Sequence, residues 1–195
     1  MADDIYQRAF RVYGASPKSL HWVNYPSQAV RFKNLVKDLD LENKSILDAG
    51  CGMGDILPFI YARADHFDYL GVDINKDFIE IAKTRYAGHK FKVADPFKGL
   101  NLGIHHYDVV LCSGVMNENI DNWQEVRRKM IKSLFKLARQ TLAFNMAGSF
   151  SHIPPDSKIA YASAQEIMDF CLSLTPNVAL SSDYSAYDFT VVMRK

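Results

Sequence analysis

The chain has almost no net charge. Its 23 Lys and Arg residues stand against 22 Asp and Glu, leaving +1 over 195 residues. A surface so balanced offers no electrostatic footprint for DNA, RNA or an anionic membrane, and a small-molecule partner is expected instead. Cysteine is scarce as well. Cys51, Cys112 and Cys171 are odd in number and lack paired spacing, which argues against a disulfide framework and a zinc site; all three read as small buried residues. No other metal-ligand spacing stands out, so no metal is expected, and His105-His106 reads as a surface turn. No apolar stretch is long enough to span a bilayer, and no basic segment precedes an apolar one at the N-terminus. A reduced, cytoplasmic setting with no membrane partner follows as the expectation. Repeats, low-complexity tracts and linkers are also missing, so residues 1–195 are expected to form one domain, with 1–40 as an N-terminal helical extension or lid.

What the chain does have is 48% hydrophobic residues, enough for a substantial core, and one unusual stretch from Ser45 to Ile60. Ile46-Leu47-Asp48-Ala49 is a short apolar run of the kind that forms a buried strand. Gly50, Gly52 and Gly54 follow at alternate positions, and Ile56, Leu57, Phe59 and Ile60 then take a helical spacing. Strand, glycine turn and helix start make a nucleotide-type loop. Glycine tolerates positive φ and lets backbone approach a ligand, and free N–H groups at a helix start can serve an anion.

Around this stretch strands and helices alternate. Ile5, Ala9, Phe10 and Tyr13 suggest a first helical stripe. Val30, Phe32, Leu35, Val36 and Leu39 predict a helix from Pro26 to near Asp40, on which Gln28 and Arg31 share a face. Phe67–Asp73, Phe91–Asp95, Tyr107–Ser113 and Thr141–Asn145 read as strands. Helices are expected after Asn75, from Trp123 to Ala138, and from a cap at Ser163 to Leu172. Asn177–Ser181 and Phe189–Met193 have no helix between them, so they should pair antiparallel at the sheet edge. The pattern predicts a doubly wound α/β fold, with ligands beyond the carboxyl ends of the strands. Asp48, Asp73, Asp95 and Ser113 all fall at those ends. Any one of these acids also reads as a turn former or helix cap; their shared location is the signal.

This order of motifs resembles the class I S-adenosylmethionine-dependent methyltransferases over about Ser19 to Lys195. Ile46–Gly54 looks like that family's first motif, Leu70-Gly71-Val72-Asp73 its second, Val93-Ala94-Asp95 its third and Tyr107–Ser113 its fourth; Asp183 to Lys195 fits its closing strand pair. Gln28-x-x-Arg31-Phe32, Ser113-Gly114-Val115, Phe144-Asn145 and Leu174-Thr175-Pro176-x-Val178 resemble a group of small, little-characterised bacterial methyltransferases. The resemblance implies a Rossmann-like sheet of seven strands in the order 3-2-1-4-5-7-6, with strand 7 antiparallel, and S-adenosyl-L-methionine as cofactor. Asp73 would hold the ribose hydroxyls and Asp95 the adenine amino group, with Ile74, Pro96 and Phe97 adjacent. Gly50, Cys51, Gly52 and Gly54 would cradle the cofactor, with Ser113 and Gly114 at its methionine end. Asp48 would favour the amino group. Arg31 is a candidate partner for the carboxylate and equally a solvated helix charge; Gln28 is a further candidate.

Acceptor contacts are expected from loops at the same edge: His21, Trp22 and Tyr25 before the second helix, Asn117 after the fourth strand, Asn145 after the fifth, and Tyr184 and Tyr187 on the final connection. Trp22 and Tyr25 read equally as hydrophobic plugs. His152 is the candidate general base, with a plain surface role as the alternative. Ser113-Gly114-Val115-Met116 replaces the Asp/Asn-Pro-Pro-aromatic signature of enzymes acting on DNA adenine or protein glutamine, which disfavours both. The resulting expectation is methyl transfer to an oxygen or nitrogen of a small molecule. Two other readings stay open: a non-catalytic S-adenosylmethionine-binding module that regulates a partner, and a nicotinamide-dependent dehydrogenase, although the latter's loop is Gly-x-Gly-x-x-Gly.

Overall fold

The computed structural model describes residues 2–20, 24–97, 107–151 and 159–195. Among these residues eight strands form one sheet, β1 (Lys44–Ala49), β2 (Phe67–Asp73), β3 (Lys90–Val93), β4 (Tyr107–Ser113), β5 (Ala138–Ser149), β6 (Ala162–Ser163), β7 (Val178–Ser181) and β8 (Asp188–Arg194). Their order is β3-β2-β1-β4-β5-β8-β7, with β6 paired to the end of β5. β1 to β5 run parallel. β8 lies antiparallel between β5 and β7. This is the expected order once the two-residue β6 is counted; so short a strand carries no legible period.

Among the described residues six α-helices cover the sheet: α1 (Ala2–Tyr13), α2 (Tyr25–Val36), α3 (Leu57–Tyr61), α4 (Lys76–Arg85), α5 (Trp123–Leu137) and α6 (Ala164–Leu172). The central strands alternate between two cores. Ile46, Val109 and Leu111 face Phe32, Leu35, Ile60 and Ile79 from α2, α3 and α4. Leu47, Val110 and Cys112 face Ile131, Leu134, Ile167 and Cys171 from α5 and α6. Burial on both faces is what near-continuous apolar strands require. The three cysteines are all buried and free.

Helix boundaries follow local chemistry. Asn24 caps α2, its side chain accepting from the Ser27 amide, with Pro26 in the first turn. Asn75 caps α4 by accepting from the amides of Asp77 and Phe78. Ser163 caps α6 through the Glu166 amide. α2 stops at Val36, short of Asp40, because Leu39 and Leu41 bury in the turn that follows. β5 extends beyond its expected ends in both directions.

The first stripe keeps Ala9 and Phe10 but takes in Tyr6 in place of Ile5 and Tyr13. Tyr6 and Phe10 meet Phe78 edge-on at 6.2 and 5.8 Å and Ala9 is buried, while Ile5 and Tyr13 are about half exposed. Positions 6, 9 and 10 keep the helical period and turn the face by only part of one residue's rotation. α1 is thereby carried to the carboxyl end of the sheet.

Gly71 in β2 sits where no side chain fits: a Cβ there would lie 2.7 Å from Phe91 Cδ1 and 2.9 Å from Cys51 Sγ. Gly71→Ala is expected to cost about 1–3 kcal/mol in urea unfolding by overpacking. Gly88→Ala, with nothing within 4 Å, is the control and should shift stability by about 0.5 kcal/mol at most. Equal effects would contradict this packing.

Candidate functional site

The parallel register places one chemical row along the carboxyl edge. Asp48 is level with Gly71 and Leu111, Asp73 with Val93, and Ser113 with Asn145. Just beyond this edge lies a cavity whose walls include Asp48, Gly50, Cys51, Gly52, Asp73, Ile74, Asp95, Pro96, Ser113 and Gly114. Tyr6, Leu20, Gln28, Phe32, Asp55, Phe78, Phe97, Val115, Glu118 and Met130 complete the described lining.

The glycine loop turns through three left-handed positions, Gly50 (φ 78°), Gly52 (φ 54°) and Gly54 (φ 78°). Its donors are used internally. The amides of Gly50 and Cys51 donate to the Val72 carbonyl at 2.8 and 3.0 Å, and that of Gly54 to the Cys51 carbonyl. The Gly52 amide donates to Asp73 Oδ2 at 2.9 Å. The expectation that loop N–H groups wait for an anion is therefore corrected at these four positions. The loop contributes closeness instead: a Cβ on Gly50 would lie 2.2 Å from Val115 Cγ2. Gly54 packs against Tyr86 and Phe91 beneath the loop.

The acids are held by backbone. Asp73 Oδ1 accepts from the Asn75 amide and Asp95 Oδ1 from the Phe97 amide, each at 2.9 Å. On the other wall, Asn145 Oδ1 accepts from Ser113 Oγ at 3.0 Å and from the Gly114 amide at 3.1 Å. Its Nδ2 donates to the Arg31 carbonyl at 3.3 Å. Asn145 thus holds the cavity wall from behind. Arg127, buried and stacked 4.1 Å over Trp123, donates to the carbonyls of Met116 and Ala160, clasping the turn after β4.

Several expected site residues have structural partners. Arg31 makes a bidentate pair with Asp188 at 2.8 and 2.6 Å, tying α2 to β8, and is not among the lining residues. Asn117 Oδ1 accepts from the Ala147 amide. The Tyr184 hydroxyl is 2.8 Å from Thr190 Oγ1. Tyr25 and Tyr187 are more than half and half exposed, respectively, the latter with its ring 6.2 Å from that of Tyr161. His21, Trp22 and His152 lie outside the described residues.

Residues 47–140 match the family described as a methyltransferase domain. A protein of Mycobacterium tuberculosis named as a methyltransferase is 28% identical over 157 residues, covering 77% of this chain and 93% of that protein. The chain therefore carries a methyltransferase domain and is similar in fold to S-adenosylmethionine-dependent methyltransferases. Solved structures share the fold. Magnesium protoporphyrin IX methyltransferase from Synechocystis PCC 6803, solved with bound S-adenosylmethionine, superposes with a TM-score of 0.65 at 21% identity, over 97% of this chain and 90% of that one. A Pyrococcus horikoshii protein reaches 0.69 at 15% identity, over 97% of both chains.

In this methyltransferase the described lining carries five carboxylates, Asp48, Asp55, Asp73, Asp95 and Glu118. Among the described residues no group of three or more His, Cys, Asp or Glu side chains is placed to hold a metal ion, and no helix is long and apolar enough to cross a membrane. Asp48 is only 3% exposed. Burial pushes its carboxyl up to about 7; the Tyr69 hydroxyl, donating at 2.7 Å, opposes this, and Asp73 adds to it. Burial, Glu118 and Asp73 push the Tyr6 hydroxyl up to about 12.

Because the folded value for Asp48 lies above its ordinary 3.8, the folded chain binds this proton more tightly than the unfolded one. The stabilisation is full below about pH 4 and is lost as pH rises through about 7. Asp48→Asn removes the dependence. Without cofactor, the melting temperature of the variant relative to wild type should rise between pH 5 and pH 8; a constant difference would contradict the assignment.

Proposed function

We propose that this methyltransferase moves the methyl group of S-adenosylmethionine to an oxygen or nitrogen of a small-molecule acceptor. The observation that carries the reading is the cavity itself, which gathers the glycine loop, Asp48, Asp73, Asp95 and Ser113-Gly114 on one set of walls. These residues fit the cofactor chemically. Asp73, oriented by the Gly52 and Asn75 amides, offers carboxylate oxygens to a ribose diol. Asp95, oriented by Phe97, offers the same to an adenine amino group, and Ile74, Pro96 and Phe97 supply apolar surface for the ring. Asp48, near the end of β1 and on the cavity wall, is the proposed partner of the positive methionine end. Gly50, pressed against Val115, has no room for a side chain.

When bound, the cofactor supplies a sulfonium methyl whose departure leaves a neutral thioether. The chain's task is then mainly alignment and exclusion of water. Tyr6 and Leu20 bring the N-terminal segment onto the cavity, which supports residues 1–40 as a lid and an acceptor small enough to lie beneath it. The Synechocystis enzyme that shares the fold is named for a porphyrin, itself a small-molecule acceptor. His152 is the proposed base where the nucleophile must lose a proton. Tyr6, with its hydroxyl pushed up to about 12, is poorly matched to that role near neutral pH.

Isothermal calorimetry with S-adenosylhomocysteine tests the donor half of this reading. Wild type should bind in the micromolar range, on the order of ordinary substrate affinities. Asp95→Ala should bind about tenfold more weakly, the effect of losing one hydrogen bond to a charged group. Unchanged affinity in the variant would contradict the proposed placement of adenine.

A further inference from the structure

The helix face that carries Gln28 and Arg31 sends the two side chains to different ends. Arg31 is joined to Asp188, whereas Gln28 lines the cavity and is only 1% exposed. Its Nε2 donates to Asp55 Oδ2 over a long 3.5 Å. Asp55 is fixed in turn by Arg85 Nη1 at 3.0 Å, and Arg85 also donates to the Ala15 carbonyl. A carboxylate accepts but does not donate, so Asp55 sets the amide orientation, with the NH2 toward itself. Gln28 Oε1 is then left buried in the cavity wall with no hydrogen-bond partner. A buried acceptor without a donor is unfavourable, and a ligand that brings an N–H group removes the deficit.

We propose that Gln28, backed by Asp55, is a receiving site for an ammonium or other cationic N–H donor carried by the ligand of this cavity; this rests on the methyl-donor reading above. The other four carboxylates of the lining bias the same space toward a positively charged group. Two sources supply the chemistry. One is the α-ammonium of the cofactor's methionine moiety. The other is an amine on the methyl acceptor, in which case the acceptor is cationic or amine-bearing.

Calorimetry on the full chain separates the sources, using wild type, Gln28→Leu and Gln28→Glu, with folding checked by thermal melts. The probes are S-adenosylhomocysteine, 5′-methylthioadenosine, which lacks the amino-acid end, and the pair phenethylamine and hydrocinnamate, matched in skeleton and opposite in charge. If the cofactor supplies the ammonium, Gln28→Leu weakens S-adenosylhomocysteine by about fivefold or more and leaves methylthioadenosine within about twofold, while Gln28→Glu retains binding. If the acceptor supplies it, Gln28→Leu leaves S-adenosylhomocysteine unchanged. Phenethylamine then binds the saturated wild type more tightly than hydrocinnamate does and loses that preference in Gln28→Leu. Equal losses for S-adenosylhomocysteine and methylthioadenosine, no change with any probe, or a preference for hydrocinnamate would overturn the proposal. A wild type that binds neither nucleoside contradicts the methyl-donor reading instead, and the phenethylamine–hydrocinnamate comparison on the unliganded chain then decides the subsite.

Discussion

The hydrogen bond from the Gly52 amide to the Asp73 carboxylate is the joint on which the site depends. With the Gly50 and Cys51 amides on the Val72 carbonyl, it fastens the loop after β1 to the end of β2. A loop so tightly drawn must pass through positive φ at Gly50, Gly52 and Gly54, where side chains are strained. Those donors are spent on the fold, so the loop is a smooth, close wall. Its polar character comes from carboxylates at the neighbouring strand ends. Asp73 therefore has a structural reason to be an acid before any ligand arrives: it closes the loop and caps the turn into α4 through Asn75.

A second set of contacts holds the opposite wall at the same level. Asn145 links Ser113 and Gly114 to the backbone of α2. Arg31 and Asp188 pin α2 to β8, and Ser185 supports Asp188. The cavity is thus framed by residues from the first helix to the last strand, and elements far apart in sequence share the work of orientation.

The strand-end residues were legible because a buried parallel sheet leaves little freedom. Apolar runs fix the strands, and their carboxyl ends fix where Asp48, Asp73, Asp95 and Ser113 gather. Helix faces were harder to read. A stripe can exchange its flanking positions and keep its period, as Tyr6, Ala9 and Phe10 show. Gln28 and Arg31 share a face from sequence spacing, yet Asp188, 157 residues from Arg31, decides which of them is consumed by the frame. Asn145 was visible as a polar strand-end residue, but its partners come from β4 and α2, and no local pattern announces them. The methyl acceptor is the least legible feature, since the cavity is also lined by side chains from α1, α2 and the turn after β4, which share no local pattern.

The most direct test of the central claim is a crystal structure with S-adenosylhomocysteine bound. The account predicts the adenosine between Asp73 and Asp95, its ring against Ile74 and Phe97, and the amino-acid end running past Gly50–Gly52 toward Asp48. A ligand seated away from this strand edge, or reversed so that adenine lies at Asp48, would contradict it.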